Sequence, residues 1–170
     1  MVRSPAMLPP IATARLRLRP LRLADAEAFR GMTDEPGVIA AVHFLRAPFT
    51  LSDARRLIEG EGDGRDCFWG VWLREDETLV GTVGAHLRGA DELEIGYWFS
   101  SSVHGRGVGG EAVASLVEAL RTAYPERRLL AECRPENRAS WRLLEKIGFR
   151  ADGTDGSRAG RKRLTLVHAT

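Results

Sequence analysis

Apolar and polar residues alternate strictly from Arg15 to Arg19, and the run ends at Pro20. A period of two predicts a strand with one face in the core and the other in solvent. From Ala24 to Met32 the apolar residues instead recur every three or four positions, which predicts a helix. The stretch from Val38 to Phe49 is apolar without either period, and we interpret it as a short helix or a lid.

Polar turns divide the middle of the chain into three segments that are rich in strand-forming residues. These segments are Cys67 to Leu73, Thr78 to Leu87 and Glu92 to Phe99. The links between them are so short that they can join only antiparallel neighbours. We therefore expect a three-stranded meander, preceded by a helix that Thr50 or Ser52 caps at its N-terminus.

Helix and strand alternate beyond this meander. Glu111 to Tyr124 carries apolar residues at helical spacing and is followed closely by a proline. Leu129 to Cys133 then predicts a short strand. Because a helix joins it to the preceding strand, we expect those two strands to be parallel.

The last part of the chain is predicted to hold one more helix and a pair of strands. Asn137 is suited to cap the helix, and Gly148 supplies its C-terminal stop. Phe149 to Ala151 and Arg163 to His168 are the predicted strands. We expect the loop between them, Asp152 to Arg161, to be mobile.

Together these elements predict one domain of the α/β class, of the α+β type. We expect a mixed, mostly antiparallel sheet of about six to seven strands flanked by about four helices. The domain is expected to cover residues 13–170, after a flexible leader formed by residues 1–12. A chain of 170 residues that is 44% hydrophobic can form one packed core without disulfides or metal.

Charge and cysteine content narrow the possible functions. A formal net charge of only +2 gives little support to nucleic-acid binding, so no nucleic-acid partner is expected. Cys67 and Cys133 have neither a second cysteine at metal-ligand spacing nor a nearby histidine, so we expect no metal and no disulfide. No apolar stretch reaches the ~18 residues of a membrane span. With no recognisable secretory signal either, we expect a cytoplasmic protein that has no membrane partner.

Four glycines lie between His104 and Gly110, where a predicted strand gives way to a helix. Glycine lets the main chain approach a ligand closely, and free N–H groups at a helix N-terminus attract phosphates, so we favour an anion site. A tight turn that merely requires positive φ is a second interpretation. A third is the dinucleotide fingerprint Gly105-x-Gly107-x-x-Gly110, with Glu132 about 20 residues downstream. We disfavour the third because an antiparallel meander precedes the glycines and too few residues follow Glu132.

These glycines resemble the acetyl-CoA motif of the GNAT superfamily of N-acetyltransferases, Gln/Arg-x-x-Gly-x-Gly/Ala. Gly107 and Gly109 match its glycines, and His104 stands where Gln or Arg is usual. A second signature of the superfamily resembles Asn137-x-x-Ser140 and the residues that follow it. That signature includes Leu144 to Phe149. The marks of the RimJ/RimL-type branch, to which the likeness is strongest, are Thr13 to Pro20, Ile95 to Trp98 and Glu111-Ala112.

The resemblance implies a GNAT-like sheet whose central strands splay apart to admit the pantetheine arm of acetyl-CoA, the expected cosubstrate. Main-chain N–H groups from Arg106 to Gly110 would hold the pyrophosphate, and the main chain around Phe99 would pair with the pantetheine amides. The residues expected to bind the cosubstrate are Phe99, His104, Gly105, Arg106, Gly107, Val108, Gly109, Gly110, Asn137 and Ser140.

Acetyl transfer to an amine requires a neutral nitrogen and a proton for the leaving thiolate. Glu132 is the first candidate for the base, because related N-terminal acetyltransferases place a glutamate there; Glu94, acting through water, is the second. The alternative for each of these residues is a surface carboxylate that has no part in the reaction. Many superfamily members use a tyrosine as the acid at the position where this chain has Leu144, which cannot donate a proton. Our candidate acid is therefore Ser140. The alternative is that the Ser140 hydroxyl only forms a hydrogen bond with the backbone.

We therefore expect an acyltransferase that moves an acetyl group directly to a primary amine, on a ribosomal or other protein N-terminus or on a small molecule. The alternative is a non-catalytic acyl-CoA-binding regulatory module. In the superfamily the acceptor enters between segments equivalent to Val38–Phe49 and Asp152–Arg161. Phe44, Phe49 and Trp98 either line the acceptor pocket or belong to the core. We expect a monomer or a homodimer.

Overall fold

The computed structural model describes residues 3–167, which form a single mixed sheet of eight strands with five α-helices. The strands are β1 (Ile11–Ala12), β2 (Leu16–Pro20), β3 (Asp66–Leu73), β4 (Leu79–Arg88), β5 (Glu92–Phe99), β6 (Arg128–Cys133), β7 (Phe149–Asp155) and β8 (Lys162–Leu166). The helices are α1 (Ala26–Thr33), α2 (Pro36–Ala41), α3 (Leu51–Glu59), α4 (Val108–Ala123) and α5 (Arg138–Ile147).

The strands lie in the order β1-β2-β3-β4-β5-β6-β8-β7. Strands β3, β4 and β5 form the predicted antiparallel meander, and β2 extends it on one side. Helix α4 joins β5 to β6, and these two strands are parallel as predicted. The mixed, mostly antiparallel α/β fold expected from the sequence is therefore confirmed.

Two apolar clusters cover the two faces of the sheet. The larger cluster lies under α4 and α5 and contains the fully buried Trp69, Leu116 and Phe149. The smaller one lies under α1, α2 and α3. Successive residues of a strand point to opposite faces, so Tyr97 packs on the α4–α5 face while Trp98 packs on the α1–α3 face.

Local capping signals were predicted correctly at three helix ends. The hydroxyl of Thr50 accepts a hydrogen bond from the N–H of Asp53 at 3.1 Å and caps α3. Asn137 caps α5, and Gly148 ends it in the left-handed region with φ of 118°. Side-chain caps and C-terminal glycines act over only a few residues, which is why sequence alone locates them.

The predicted flexible leader differs from the structure over residues 3–12; Met1 and Val2 lie outside the described residues. Strand β1 pairs antiparallel with β2, and Leu8 is buried against the larger cluster. The hydroxyl of Tyr124 donates to the carbonyl of Arg3 at 2.7 Å. The two-residue β1 also accounts for the eighth strand, because so short a strand leaves no periodic pattern.

Two further boundaries differ from the sequence prediction. Helix α2 begins at Pro36, within a stretch that looks like a turn, because proline is favoured in the first turn of a helix. Strand β7 continues to Asp155, so the loop before β8 is residues 156–161, shorter than predicted. The predicted end of the last strand, His168, lies outside the described residues.

Candidate active site

A gap opens where β5 and β6 stop pairing. Their last paired residues are Ile95 and Ala131, although β5 continues to Phe99 and β6 to Cys133. A cavity of about 580 Å³ lies at this point and is lined by residues from both strands. The strands therefore splay as expected, and the opening connects the two faces of the sheet.

The glycine turn, residues 104–110, borders the cavity on the α4–α5 face. Gly105 and Gly107 have φ of 73° and 75°, a conformation that side-chain-bearing residues rarely adopt. Helix α4 starts at Val108, so the N–H groups of its first turn have no partner within the helix. A Cβ at Gly105 or Gly110 would meet nothing within 4 Å, which leaves room for a ligand beside the main chain.

Arg15 braces the glycine turn from the edge of β2. Its Nη1 donates to the carbonyl oxygen of Arg106 at 2.8 Å, and its Nε donates to Glu111 at 2.8 Å. Burial raises the pKa of Glu111, but the hydrogen bonds from Arg15 outweigh it and the net pKa lies below its ordinary value. Residues 96 positions apart in the chain thus hold the turn in place.

The link between β5 and the glycine turn is fixed by two further side chains. His104 Nε2 lies 3.1 Å from the carbonyl oxygen of Phe99, and because a carbonyl only accepts, this nitrogen carries the hydrogen. Glu35 accepts from the hydroxyl of Ser100 at 2.7 Å and from the N–H of Ser101 at 3.1 Å. The carbonyl of Phe99 belongs to the main chain that is expected to pair with the pantetheine amides, and it already accepts a hydrogen bond from His104.

Two hydroxyl groups meet at the gap on the α4–α5 face. The Tyr97 hydroxyl and Ser140 Oγ are 2.8 Å apart, and Asn137 Oδ1 accepts from the N–H of Ser140 at 3.2 Å. Burial raises the pKa of the Tyr97 hydroxyl well above its ordinary range, so it stays protonated. Burial also raises the pKa of the nearby Cys133 thiol, which disfavours a thiolate nucleophile there.

Glu132 lies on the opposite face, and both of its carboxylate oxygens are occupied. Oε1 accepts from the N–H of Ser157 at 2.6 Å and from its hydroxyl at 2.7 Å. Oε2 accepts from the N–H of Arg158 at 3.3 Å and from its guanidinium at 3.2 Å. Burial raises the pKa of Glu132, but the bonds from Ser157 and the charge of Arg158 outweigh it and lower the net pKa.

Glu94 is also held by two guanidinium groups. Arg158 Nη1 donates to one oxygen at 2.7 Å and Arg88 Nε donates to the other at 3.0 Å. The side chain of Glu94 is only 10% exposed. Arg158 therefore bridges both candidate carboxylates, and neither has a free oxygen in this conformation.

An aspartate–histidine pair lies beside Glu94. Asp66 Oδ1 is 2.7 Å from His86 Nδ1 and 2.9 Å from Arg88 Nη1. The hydrogen bonds from His86 and Arg88 outweigh burial and lower the pKa of Asp66 to about 2. The carboxylate consequently fixes a hydrogen on Nδ1 and leaves Nε2 of His86 as an acceptor. Within residues 3–167, Nε2 has no hydrogen-bond partner, and the imidazole lines the cavity.

Aromatic side chains form the wall of the cavity on the α1–α3 face. Phe44, Phe68 and Trp98 line it, with Phe44 packed edge-on to Trp98 at 5.7 Å. Trp98 Nε1 donates to the hydroxyl of Thr33 at 3.1 Å, which fixes the indole. Phe49 does not line the cavity; it is buried edge-on against Phe29 at 5.8 Å.

Sequence reasoning located the glycine turn, Glu132 and Ser140 but missed several side chains beside them. Tyr97, Arg15 and Glu111 lie within quoted motifs, yet nothing in those motifs indicates contact. The Asp66–His86 pair was missed because it depends on the register between β3 and β4, in which these two residues lie directly opposite each other. A β-bulge between Val71 and Trp72 shifts that register, so counting back from the turn does not recover it.

Neither a metal-ligand cluster nor a membrane-spanning helix is present in the part of the chain that the structure describes. Across residues 3–167, no three histidine, cysteine or acidic side chains converge in a way that would hold a metal ion. In the same part of the chain, no helix is both long enough and apolar enough to cross a bilayer. Both cysteines are buried as free thiols.

The chain is similar in sequence or in fold to several known proteins. The family model described as "Acetyltransferase (GNAT) domain" matches residues 15–150. The uncharacterized N-acetyltransferase YnaD of Bacillus subtilis is 30% identical over 145 residues, which cover 84% of each chain. A GNAT-family acetyltransferase from Bacillus anthracis has the same fold, with a TM-score of 0.80 at 24% identity over 94% of this chain and 98% of that one.

RimL, a ribosomal α-N-protein acetyltransferase crystallised with coenzyme A, also has this fold. Its TM-score is 0.81 at 15% identity, over 94% of this chain and 98% of RimL. At this identity the likeness concerns the fold alone. The family model and YnaD together cover most of the chain, including the glycine turn and the gap. The chain therefore belongs to the GNAT family of N-acetyltransferases and is an acyltransferase.

Proposed function

We propose that the protein transfers the acetyl group of acetyl-CoA directly to a primary amine, on a protein N-terminus or on a small molecule. The observation that carries this proposal is the gap between β5 and β6. It has an anion-binding turn and two hydroxyls on one face, and a carboxylate cluster with an open cavity on the other. Such a passage lets a thioester and an amine approach the same point from opposite sides.

The proposed cosubstrate site is the glycine turn with the adjoining end of β5. Free N–H groups and the positive end of the α4 dipole suit a pyrophosphate. Positive φ at Gly105 and Gly107 and the open space beside Gly105 fit a ligand that lies against the main chain. The residues proposed to contact acetyl-CoA remain Phe99, His104, Gly105, Arg106, Gly107, Val108, Gly109, Gly110, Asn137 and Ser140.

Ser140 is proposed to protonate the leaving thiolate, with Tyr97 as its hydrogen-bond partner. The 2.8 Å contact orients the Ser140 hydroxyl, and the raised pKa of Tyr97 keeps a proton available in the pair. Asn137 fixes the position of Ser140 at the start of α5. Because a thiolate is a fair leaving group, a weak acid is sufficient here.

Glu132 and Glu94 are proposed to attract the ammonium group of the acceptor. Each is buried and faces the cavity from the α1–α3 face. Arg158 contacts one oxygen of each carboxylate, so its guanidinium competes with the acceptor for both groups. The negative charges of Glu132 and Glu94 attract the positive charge of the ammonium group.

Thiol release from acetyl-CoA tests the proposal. We expect release with at least one of the following acceptors: hexapeptides that begin with Ser, Ala or Met, spermidine, or tyramine. Ser140→Ala is expected to lower kcat by about 10- to 100-fold, with a much smaller change in the Kd for coenzyme A. Glu132→Gln and Glu94→Gln are expected to raise the KM for the amine.

Ser115→Ala is the matched control, since the Ser115 hydroxyl bonds only the carbonyl of Ala112 in its own helix. This variant should retain the wild-type kcat. Binding of coenzyme A with no thiol release for any acceptor would contradict the proposal and point to a regulatory acyl-CoA-binding module instead.

A further inference from the structure

We propose that His86 is the group that removes the proton from the acceptor's ammonium, with Asp66 as the residue that positions it. This inference rests on the proposed acetyl transfer to an amine. It assigns the base to a side chain that faces the cavity with a free lone pair, and it requires no ion pair to open first.

A row of three polar residues crosses the meander on the α1–α3 face. Asp66 on β3 lies opposite His86 on β4, and His86 lies opposite Glu94 on β5. Directly opposite residues on adjacent strands have their side chains on the same face. The imidazole is therefore held between two carboxylates, one hydrogen-bonded to its Nδ1 and the other adjacent across the strands.

Two glycines direct the free edge of this imidazole toward the gap. The next row toward the gap pairs Gly84 with Gly96, and Gly96 is the first residue of β5 beyond its last pair with β6. A Cβ on Gly84 would lie only 2.3 Å from His86 Nε2, so the ring leans over Gly84. A Cβ on Gly96 would meet nothing within 4 Å, which leaves open space next to the ring and beside the splay.

The availability of lone pairs favours His86 over the carboxylates. Each of the four oxygens of Glu94 and Glu132 already accepts a hydrogen bond from Arg88, Arg158 or Ser157, so an ammonium has to compete with these donors. Nε2 of His86 accepts none from the residues that the structure describes, and it belongs to a cavity-lining side chain. A base must reach the proton with a lone pair, and Nε2 offers one for which no described donor competes.

The proton balance of the reaction is complete with the residues present. His86 Nε2 takes one proton from the ammonium, which leaves a neutral amine. The amine nitrogen forms a bond to the acetyl carbon, and the bond from that carbon to sulfur breaks. The second nitrogen proton is lost as the amide forms and goes to the Ser140–Tyr97 pair, which has given its own proton to the departing thiolate. The charge of Asp66 stabilises the imidazolium until it releases its proton to water.

Several titratable and charged groups surround the imidazole and shape its pH dependence. Asp66 is on β3, Arg88 is on the same strand as His86, and Glu94 is on β5. Across the cavity lie Arg158 and His43. Burial and the charges of Arg158 and Arg161 lower the pKa of His43 below its ordinary value.

The test is the pH profile of kcat for His86→Ala, with a serine-initiated hexapeptide and tyramine as acceptors. We expect kcat to fall about 100-fold or more near pH 7 and the Kd for coenzyme A to stay unchanged. With the peptide, the defect should shrink by about pH 9, where a terminal α-amine with pKa ~7.7–8.0 is already neutral. Added imidazole should restore part of the activity, because the substitution leaves a space of its size beside Asp66.

Asp66→Asn tests the positioning role. Loss of the negative charge removes the group that stabilises the imidazolium, so kcat should fall by less than in His86→Ala while the KM for the amine stays unchanged. Gly84→Ala keeps both residues but displaces Nε2, and it should also lower kcat. His43→Ala is the control for a second cavity histidine; it should leave the acid limb of the pH profile in place whatever its effect on KM.

Three outcomes overturn the assignment or its foundation. Wild-type kcat in His86→Ala at pH 7 would exclude His86 as the base. A loss that is equal at all pH values and is not rescued by imidazole would mean that His86 only supports the fold. If the wild-type protein releases no thiol with any of the acceptors named for the proposed function, acetyl transfer to amines fails, and the role of His86 fails with it.

Discussion

The two faces of the sheet at the gap are built in different ways. On the α4–α5 face, the ligand-binding groups are main-chain amides, placed by glycine φ values and by the start of a helix. On the α1–α3 face, the cavity depends on side chains from β3, β4, β5, β6 and the loop of residues 156–161, joined by ion pairs. Main-chain amides can bind the same cosubstrate whatever side chains lie nearby. Ion-paired side chains can instead be substituted, so that the cavity fits a different acceptor.

This difference predicts that the two faces respond to different perturbations. The cosubstrate face should be sensitive to backbone conformation and insensitive to most side-chain changes. The acceptor face should respond to charge, salt and pH, since its contacts are electrostatic.

The largest effect is expected at the glycine turn. In Gly107→Val, a β-branched residue replaces glycine at φ of 75°, so the turn must deform. We expect the Kd for coenzyme A to rise by about 100-fold, measured by calorimetry. The matched control is Gly89→Val, because Gly89 has φ of 52° in the turn between β4 and β5, away from the cavity.

Both glycine variants should lose about 1–2 kcal/mol of unfolding free energy through the same backbone strain. Only the variant at Gly107 should lose affinity for coenzyme A. Equal affinities in the two variants would show that the conformation of the turn does not control cosubstrate binding.

The next largest effect is expected from freeing the acceptor-side carboxylates. Arg158→Gln removes the guanidinium that contacts Glu94 and Glu132. We expect the KM for spermidine to fall about 10-fold at low salt, because Arg158 then no longer competes with the polyamine for Glu132 and Glu94, although Arg88 still holds one oxygen of Glu94. The Kd for coenzyme A should not change.

Arg134→Gln is the control for this charge change. Arg134 contributes positive charge near Arg161, but among the described residues it forms no ion pair with Glu94 or Glu132. If both variants shift the KM for spermidine equally, the effect comes from overall charge and not from the released carboxylates.

The smallest effect concerns acid stability at Asp66. Its pKa of about 2 in the folded protein lies below the ordinary value of 3.8, so its interactions stabilise the fold fully above about pH 4. This stabilisation is lost as the pH falls through the folded-state pKa. Between pH 5 and pH 2, urea unfolding should show that the wild type loses about 1 kcal/mol more than Asp66→Asn, after allowance for solvent screening.

Asp76→Asn serves as the comparison, because Asp76 is fully exposed and its carboxylate bonds the N–H of Thr78. Its acid dependence should remain close to that of the wild type. If Asp66→Asn also follows the wild type, the Asp66–His86 contact does not contribute to stability.

Sequence reasoning succeeded where the determining contacts are local. The caps at Thr50 and Asn137, the stop at Gly148 and the glycine turn each depend on a few consecutive residues. The meander was also recoverable, because short polar turns leave antiparallel pairing as the only choice. Even the parallel placement of β6 followed from the helix before it.

Long-range pairing limited the prediction of the site. Arg158 meets Glu94 across 64 positions, and Asp66 meets His86 across 20 positions and a bulge. Neither contact leaves a local pattern, since charged residues in loops and strands are ordinarily solvated. The hydrogen bonds and ion pairs at Glu94 and Glu132, which favour His86 as the base, are therefore visible only in the three-dimensional structure.

The splay between β5 and β6 also constrains what can inhibit such a protein. A compound that covalently joins the two substrates has to be threaded through the sheet, so its linker must be no wider than the opening at Gly96. A flat molecule bound to one side would compete with a single substrate and leave the other site accessible. The selectivity of an inhibitor should thus depend on which side of the sheet it occupies.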